Sequence, residues 1–193
     1  MIRLLGRATL VTILVACGSP SEPEPAGVEL RAEVTDASGD VMQSQSGPPT
    51  PDLVRVEAEV ARDSVTFRIR FAANTYDSLT TITFIQIDSD QNRKTGVPVS
   101  PSLGMDYMVV AQRTQTLGTH AGVMRCPGPS NICSERTGDV PVRYVVNGLD
   151  LTIPLAFLGG DNGRLNFRVE ASVVAGVQRD YAPNENLGPA ATS

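Results

Sequence analysis

Oxygen-bearing side chains occupy alternate positions in the segment IDSDQN, at Asp88, Asp90 and Asn92. A loop that curls at this point directs all three toward one position, and calcium requires hard oxygen ligands of this kind. Asp106, two residues after Gly104, adds a fourth ligand if the loop closes on itself. The spacing therefore predicts a structural calcium site at these four residues. The alternative is that the Asp and Asn side chains only form turns at the end of a strand.

The segment does not have the pattern of an EF-hand loop. Arg93 stands where that motif requires glycine, and Val99 stands where it requires a bidentate glutamate. The sequence also lacks common enzyme signatures, because its single histidine, His120, is outside any H-E-x-x-H and there is no G-x-S-x-G elbow or P-loop. A protein that is not an enzyme is predicted. A hydrolase with a pair of carboxylates stays open as the least favoured alternative, because the separation of such a pair is a spatial quantity.

Tyrosines are the next candidates for ligand contact, because an aromatic ring with a polar tip suits a partly wet site. Tyr76, Tyr107 and Tyr181 lie in or beside predicted loops. We predict that these three contact a ligand, with packing in the core or on the surface as the alternative for each. Tyr144 is predicted to lie on the apolar face of a hairpin instead.

The cysteines have two predicted roles. Cys126 and Cys133 lie in one long connection without a nearby histidine, so they form a poor zinc site, and we predict a disulfide between them. Such a short ring is worth on the order of 2.5 kcal/mol in the chain-entropy model. The third cysteine, Cys17, follows Leu14-Val15-Ala16, which resembles the lipobox of bacterial lipoproteins.

The N-terminal segment fits export and lipidation. Residues 1–16 contain two arginines and then an apolar run too short to span a membrane, as in a secretory signal peptide. The lipobox resemblance implies cleavage before Cys17 and attachment of lipid, including palmitate, to that residue. An ordinary signal peptide with a chance cysteine is the alternative. We predict a protein that is exported and lipid-anchored to the bacterial membrane, at the outer membrane or cell surface.

Composition divides the rest of the chain into a tether, one domain and a tail. Residues 18–27 are rich in proline and glutamate, which is typical of an extended, solvated tether between Cys17 and the domain. The domain is predicted at residues 28–185, followed by a flexible tail at 186–193. The net charge of −5 disfavours nucleic acid as a partner.

Period-two alternation of apolar residues predicts a mostly β domain. It is clearest in five segments, which are 28–34, 54–60, 65–71, 142–153 and 165–173, and the second and third of these are predicted to form a hairpin. Residues 80–87 are apolar or β-branched on both faces, which indicates a central strand. Asn147-Gly148 predicts a two-residue type I′ turn that places Val146 opposite Leu149. The chain shows no sustained helical period, so we predict an antiparallel β-sandwich, jelly-roll or immunoglobulin-like, of about eight or nine strands.

Two short patterns together resemble a known group of domains. The first is D-x-D-x-N-x-x-x-G followed by G-x-D-Y, at Asp88, Asp90, Asn92, Gly96, Gly104, Asp106 and Tyr107. The second is a strand, a turn and a later acidic strand, at Ile153, Pro154, Leu155, Leu158, Gly159, Asp180 and Pro183. This order resembles the family 9 carbohydrate-binding and DOMON-like β-sandwich domains. The resemblance implies a jelly-roll-like sandwich, structural calcium in many members, and binding of sugars or haem.

The chain also departs from that group. It has no tryptophan, although the sugar-binding surfaces of the family use stacked aromatic rings. No motif links His120 to a methionine as a haem site would require. We therefore predict a membrane-tethered, non-catalytic module that binds a glycan or a cell-envelope ligand beside a calcium-ordered loop. The alternative is a structural or assembly protein of the cell envelope that acts through protein–protein contacts.

Overall fold

A computed structural model describes residues 30–41, 49–114, 118–128, 133–160, 162–174, 178–184 and 191–192. The predicted signal peptide, lipidated Cys17 and tether lie outside the described residues, as does most of the predicted tail. Within the described part of the chain, no helix is long and apolar enough to cross a membrane.

The described residues form thirteen strands and one 3-10 helix. In chain order the strands are β1 (Leu30–Thr35), β2 (Leu53–Ala61), β3 (Ser64–Phe71), β4 (Thr81–Asp88), β5 (Val97–Ser100), β6 (Leu103–Met105), β7 (Tyr107–Ala111), β8 (His120–Arg125), β9 (Glu135–Val145), β10 (Gly148–Pro154), β11 (Asn166–Val173), β12 (Arg179–Ala182) and β13 (Ala191–Thr192). The 3-10 helix, Leu155–Leu158, follows β10 directly.

Eleven of the strands belong to one continuous antiparallel sheet. Its order is β1-β2-β3-β10-β9-β8-β7-β4-β11-β12, and β13 also pairs with β11. The sheet is continuous because β9 pairs through residues 135–141 with β8 and through residues 142–145 with β10. The sheet nearly closes on itself, since the Leu53 N–H of β2 donates to Asp180 Oδ2 of β12 at 2.6 Å.

The prediction of an all-β antiparallel fold is confirmed, but the predicted number of eight or nine strands is wrong. The difference arises partly in the predicted loop 88–106, which contains the separate two-stranded sheet of β5 and β6. The acidic segment near residue 180 and the tail add β12 and β13. Short strands of this kind have too few residues for a period-two pattern to identify them.

The core lies between opposite parts of this sheet. Alternate residues of β2 and β3 point inward, so Val56, Ala58, Phe67 and Ile69 are completely buried. The ring of Phe67 in β3 meets that of Phe167 in β11 edge to face, with centroids 5.3 Å apart. Both segments were predicted as half-buried strands, and the β2–β3 hairpin is confirmed.

The turn of the β9–β10 hairpin lies one residue earlier than predicted, so Leu149 pairs with Tyr144, two positions away from its predicted partner Val146. The sequence predicted Asn147-Gly148 as the turn, whereas Val146 and Asn147 form it and Gly148 pairs with Val145. Gly148 belongs to the ladder because β3 passes close by: a Cβ there would lie 2.3 Å from the Ile69 carbonyl oxygen. Of the two residues in this turn, Asn147 has a positive φ, at 52°, and Val146 does not. Val146 is consequently 88% exposed instead of lying on the apolar face.

Candidate functional site

The ends of β4 and β6 bring the predicted calcium ligands together. Asp88 is the last residue of β4, and Asp106 lies between β6 and β7. The β5–β6 hairpin reverses the chain between them, so the Asp106 N–H donates to the Ile87 carbonyl oxygen at 2.8 Å. The loop therefore closes on itself, as the predicted site requires.

Three carboxylates, those of Asp88, Asp90 and Asp106, form what we call the 88–106 cluster. One oxygen of each lies within 4.8 Å of the others. Asp88 is completely buried, Asp106 is half-buried and Asp90 is exposed. Among the described residues none of the three has an arginine or lysine partner. The cluster thus concentrates acidic groups that form no ion pair with a described residue.

The electrostatics of the cluster follow from this arrangement. Burial raises the pKa of Asp88 to about 6, and the neighbouring Asp90 and Asp106 carboxyls add to that rise. Burial likewise raises the pKa of Asp106, with Asp90 as an additional cause. A cation placed among the three would favour their charged forms.

Hydrogen bonds already fix the shape of this loop. The Asn92 N–H donates to Asp88 Oδ1 at 3.0 Å and to Asp90 Oδ1 at 2.8 Å. The Thr95 hydroxyl donates to the same Asp90 carboxylate, and the Ser89 N–H and hydroxyl donate to Asp106 Oδ2. Side-chain turns, which the sequence offered as the alternative to a metal, are therefore present together with converging carboxylates.

Asn92, the remaining predicted ligand, is oriented differently from the three carboxylates. Its Oδ1 accepts a hydrogen bond from the Lys94 N–H at 3.2 Å, so the side-chain oxygen caps the loop backbone. Its backbone N–H is the group that contacts Asp88 and Asp90. The cluster as described therefore has three acidic members.

Gly104 and the disulfide segment pack against the loop that carries the cluster. A Cβ on Gly104 would lie 2.2 Å from the Thr95 carbonyl oxygen, so the two sides of the loop approach as closely as backbone allows. The predicted disulfide between Cys126 and Cys133 is confirmed. Because the Cys126 N–H donates to the Asp106 carbonyl oxygen at 2.7 Å, the disulfide segment lies directly beside the cluster.

A cleft of about 390 Å³ opens next to the 88–106 cluster. It is lined by Ser89, Asp90, Gly96, Asp106, Tyr107, Arg125, Cys126, Pro127 and Gly128. The lining combines carboxylates, a hydroxyl, a guanidinium group and one aromatic ring. It offers hydrogen-bond donors and acceptors at close range, which suits a ligand rich in hydroxyl groups.

The three predicted ligand-contacting tyrosines lie in different surroundings. Tyr107 lines the cleft, although only 7% of it is exposed. Tyr76 stacks on Phe71 and lines a second groove. Tyr181 is buried beneath the guanidinium of Arg168, which lies 4.8 Å from its ring centroid. Tyr107 is therefore the one of the three that borders the carboxylates.

A second carboxylate cluster was not predicted. Asp36, Asp40 and Asp180 each place one oxygen within 4.8 Å of the others, and we call them the 36–180 cluster. Burial raises the pKa of Asp36 to about 6 and that of Asp180 to about 7, and neighbouring carboxyls of the same region, Asp40 among them, add to both. Asp36 and Asp40 share the loop after β1, but Asp180 belongs to β12. No local spacing connects residues so far apart in the chain.

Comparison with known proteins assigns no relative: no protein-family model matches the chain, and no curated protein does. The resemblance to family 9 carbohydrate-binding and DOMON-like domains stays a prediction, as does the lipobox resemblance.

Proposed function

We propose that this protein is a membrane-tethered, non-catalytic binding module whose 88–106 cluster binds calcium and whose adjacent cleft receives a glycan or another cell-envelope ligand. The observation that carries the proposal is the convergence of three carboxylates, two of which, those of Asp90 and Asp106, line a polar cleft. We further propose that the sheet is flattened into a jelly-roll-like sandwich. The contact between Phe67 and Phe167 across the core supports this arrangement.

Calcium suits the cluster because every acidic ligand supplies hard oxygen and no described cation neutralises it. Bound calcium would remove the repulsion among the three carboxylates and keep the loop closed. Its role would be structural, and it would also fix Asp90 and Asp106 in the wall of the cleft. A calcium ion in that wall could accept sugar hydroxyls as further oxygen ligands.

Thermal unfolding tests the calcium site. Millimolar calcium is expected to raise the midpoint, and a chelator to lower it again, because a ligand that binds only the folded state stabilises it. Asp90→Asn should reduce the rise, whereas the matched control Asp63→Asn, at an exposed aspartate in the β2–β3 turn, should not. A midpoint that neither calcium nor the chelator changes would refute the calcium part of the proposal.

A glycan panel tests the ligand. Binding should require calcium and should be lost in Arg125→Ala, because the Arg125 side chain lines the cleft and is 54% exposed. Truncating an exposed side chain leaves the fold intact, and an unchanged unfolding midpoint verifies this. If no glycan binds with or without calcium, the glycan assignment is wrong.

The membrane anchor has a separate test. Labelling with a palmitate analogue should mark the native protein, which should fractionate with membranes. Cys17→Ser should remove both the label and the membrane association. Equal membrane association of the two proteins would contradict lipidation at Cys17.

An assembly role through protein–protein contacts is the second candidate. It is favoured by a groove of about 620 Å³ lined by Tyr76, Arg113, Tyr144 and the 88% exposed Val146, among others. Val146 and the two partly exposed tyrosine rings form an apolar surface with a polar rim, and such surfaces occur at protein contacts. Crosslinking in intact cells should then capture one stoichiometric partner, and Val146→Ser should abolish its capture.

A further inference from the structure

The 36–180 cluster joins the start of the sheet to its end. Asp36 directly follows β1, Asp40 lies in the same loop, and Asp180 lies in β12. The Asn184 side-chain amide donates to Asp36 Oδ1 and to Asp40 Oδ2, at 2.8 Å each. Asp180 accepts the Leu53 N–H at 2.6 Å and the Tyr181 N–H at 2.9 Å. The three carboxylates are thus oriented by separate parts of the chain.

A fourth carboxylate, that of Asp52, lies beneath the same loop. Only 4% of Asp52 is exposed, and its Oδ2 accepts the Ser38 hydroxyl at 3.0 Å and the Gly39 N–H at 2.8 Å. Both donors lie between Asp36 and Asp40, so the carboxylate faces the inside of the loop that carries them. Its other oxygen, Oδ1, is buried and accepts no hydrogen bond from any described residue.

Asp36, like Asp52, has one carboxyl oxygen without a hydrogen-bond donor in the described part of the chain. Its Oδ2 is buried and also accepts no hydrogen bond within the described ranges. Buried polar atoms in folded proteins nearly always form hydrogen bonds, and for those that do not, a bound water or ion is the usual explanation. Two such oxygens occur here on neighbouring carboxyl groups.

No arginine, lysine or histidine side chain of the described residues pairs with the carboxyl groups of this site. None of Asp36, Asp40, Asp52 and Asp180 forms an ion pair with a described residue. The donors that reach them are backbone N–H groups, one hydroxyl and one amide, all of which are neutral. Buried charges in proteins are paired or bind metal.

We propose that Asp36, Asp40 and Asp180 bind a divalent cation, with the unpartnered oxygen of Asp36 as a ligand atom and the Asp52 carboxyl group on the buried side of the same loop. The absence of histidine and cysteine from the cluster favours calcium over zinc, because carboxylate oxygens are hard ligands. This site is distinct from the 88–106 cluster and does not depend on it. The bound ion would clamp the loop after β1 onto β12, next to the point where β2 meets β12.

Calorimetric titration of the calcium-free full chain with calcium tests the site. Asp40→Asn changes an exposed side chain, so it should fold, and it should lose one of the ions that the native protein binds or bind it about ten-fold or more weakly, since affinity follows the charge of the ligands. The control Asp63→Asn should bind calcium as the native protein does. Equal stoichiometry and affinity in Asp40→Asn and the native protein would overturn the proposal.

Amide NMR separates this site from the 88–106 cluster. Calcium should shift the Leu53 and Tyr181 amide signals, because both N–H groups donate to Asp180. These shifts should persist in Asp90→Asn, which removes a ligand of the other cluster, and should disappear in Asp40→Asn. Shifts that are absent from the native protein, or that vanish in Asp90→Asn but persist in Asp40→Asn, would contradict a cation at the 36–180 cluster.

Discussion

Asp150 and Asp180 are both buried strand aspartates, with 8% and 2% of their surface exposed, yet their electrostatics are opposite. Burial alone would raise the pKa of Asp150, but the guanidinium groups of Arg70 and Arg143 donate to it and hold its pKa below the usual value. Asp180 receives only backbone N–H groups, and burial raises its pKa to about 7. Asp150 has two arginine partners, whereas Asp180 has no cationic partner among the described residues.

The same contrast extends to the regions around these residues. The acidic side chains of strands β1, β2 and β10 have arginine partners. For example, Arg55 lies 2.6 Å from Glu57, and Arg68 lies 2.7 Å from Glu59. The carboxylates in the connections after β1 and β4 have no such partners among the described residues. In the second group, the proposed cations would take the place that arginine holds in the first.

The largest expected effect comes from making Asp150 resemble Asp180. Arg70→Ala removes a 2.6 Å ion pair and hydrogen bonds to the Ile69 and Leu149 carbonyl oxygens, leaving Asp150 with one arginine. We expect a loss of about 2–3 kcal/mol in the free energy of unfolding, because a buried charge is left less well paired. Denaturant unfolding measures the loss.

Arg68→Ala is the control for that change. Its partner Glu59 keeps 34% of its side chain exposed, so water replaces the lost pair and the cost should stay below about 1 kcal/mol. Equal losses in the two variants would show that the pairing of Asp150 contributes no more than a surface ion pair.

The converse change gives Asp180 and its neighbours a permanent cation. In Asn184→Lys an ammonium group would replace the amide that contacts Asp36 and Asp40. We expect the calcium-free protein to gain about 1 kcal/mol, because a cation within hydrogen-bond reach favours the charged carboxylates. Calcium should stabilise this variant less than the native protein. A variant whose response to calcium is unchanged would contradict a cation at this cluster.

The smallest effect concerns acid. The folded-state pKa of Asp150 is lowered, so its contribution to stability is complete above the unfolded value, near 3.9, and is lost as the pH falls through the folded-state pKa. Stability should therefore fall below about pH 4 more steeply in the native protein than in Asp150→Asn, by at most one proton in slope. Arg70, Arg143 and, farther off, Arg68 are the charges that act on this group. Parallel curves below pH 4 would contradict this assignment.

How far the sequence predicted the structure depends on the distance over which each feature is determined. The β2–β3 hairpin follows from alternation in Val56, Ala58, Phe67 and Ile69, which is a local property. Asp106 was predictable as a partner of the loop before it because only the short 88–106 segment separates them. These features required no knowledge of the rest of the fold.

Features that depend on contacts between residues far apart in the sequence were not predicted or were predicted wrongly. Gly148 was assigned to a turn, whereas the approach of β3 explains it. The 36–180 cluster escaped detection because Asp180 is brought to Asp36 only when the sheet curls. The continuity of the sheet depends on β9, which pairs with a different neighbour at each end, and a single alternating pattern does not specify which strands it joins.

The hydrogen bond from Leu53 to Asp180 has a consequence for how the chain folds. It joins residues 127 positions apart, and in the folded sheet β10 lies beside β3 and β11 beside β4. Loop-closure entropy makes such distant pairings late and slow. The sheet cannot close until the segment that contains Asp180 has reached β2. Folding intermediates that precede this contact therefore leave the sheet open between β2 and β12.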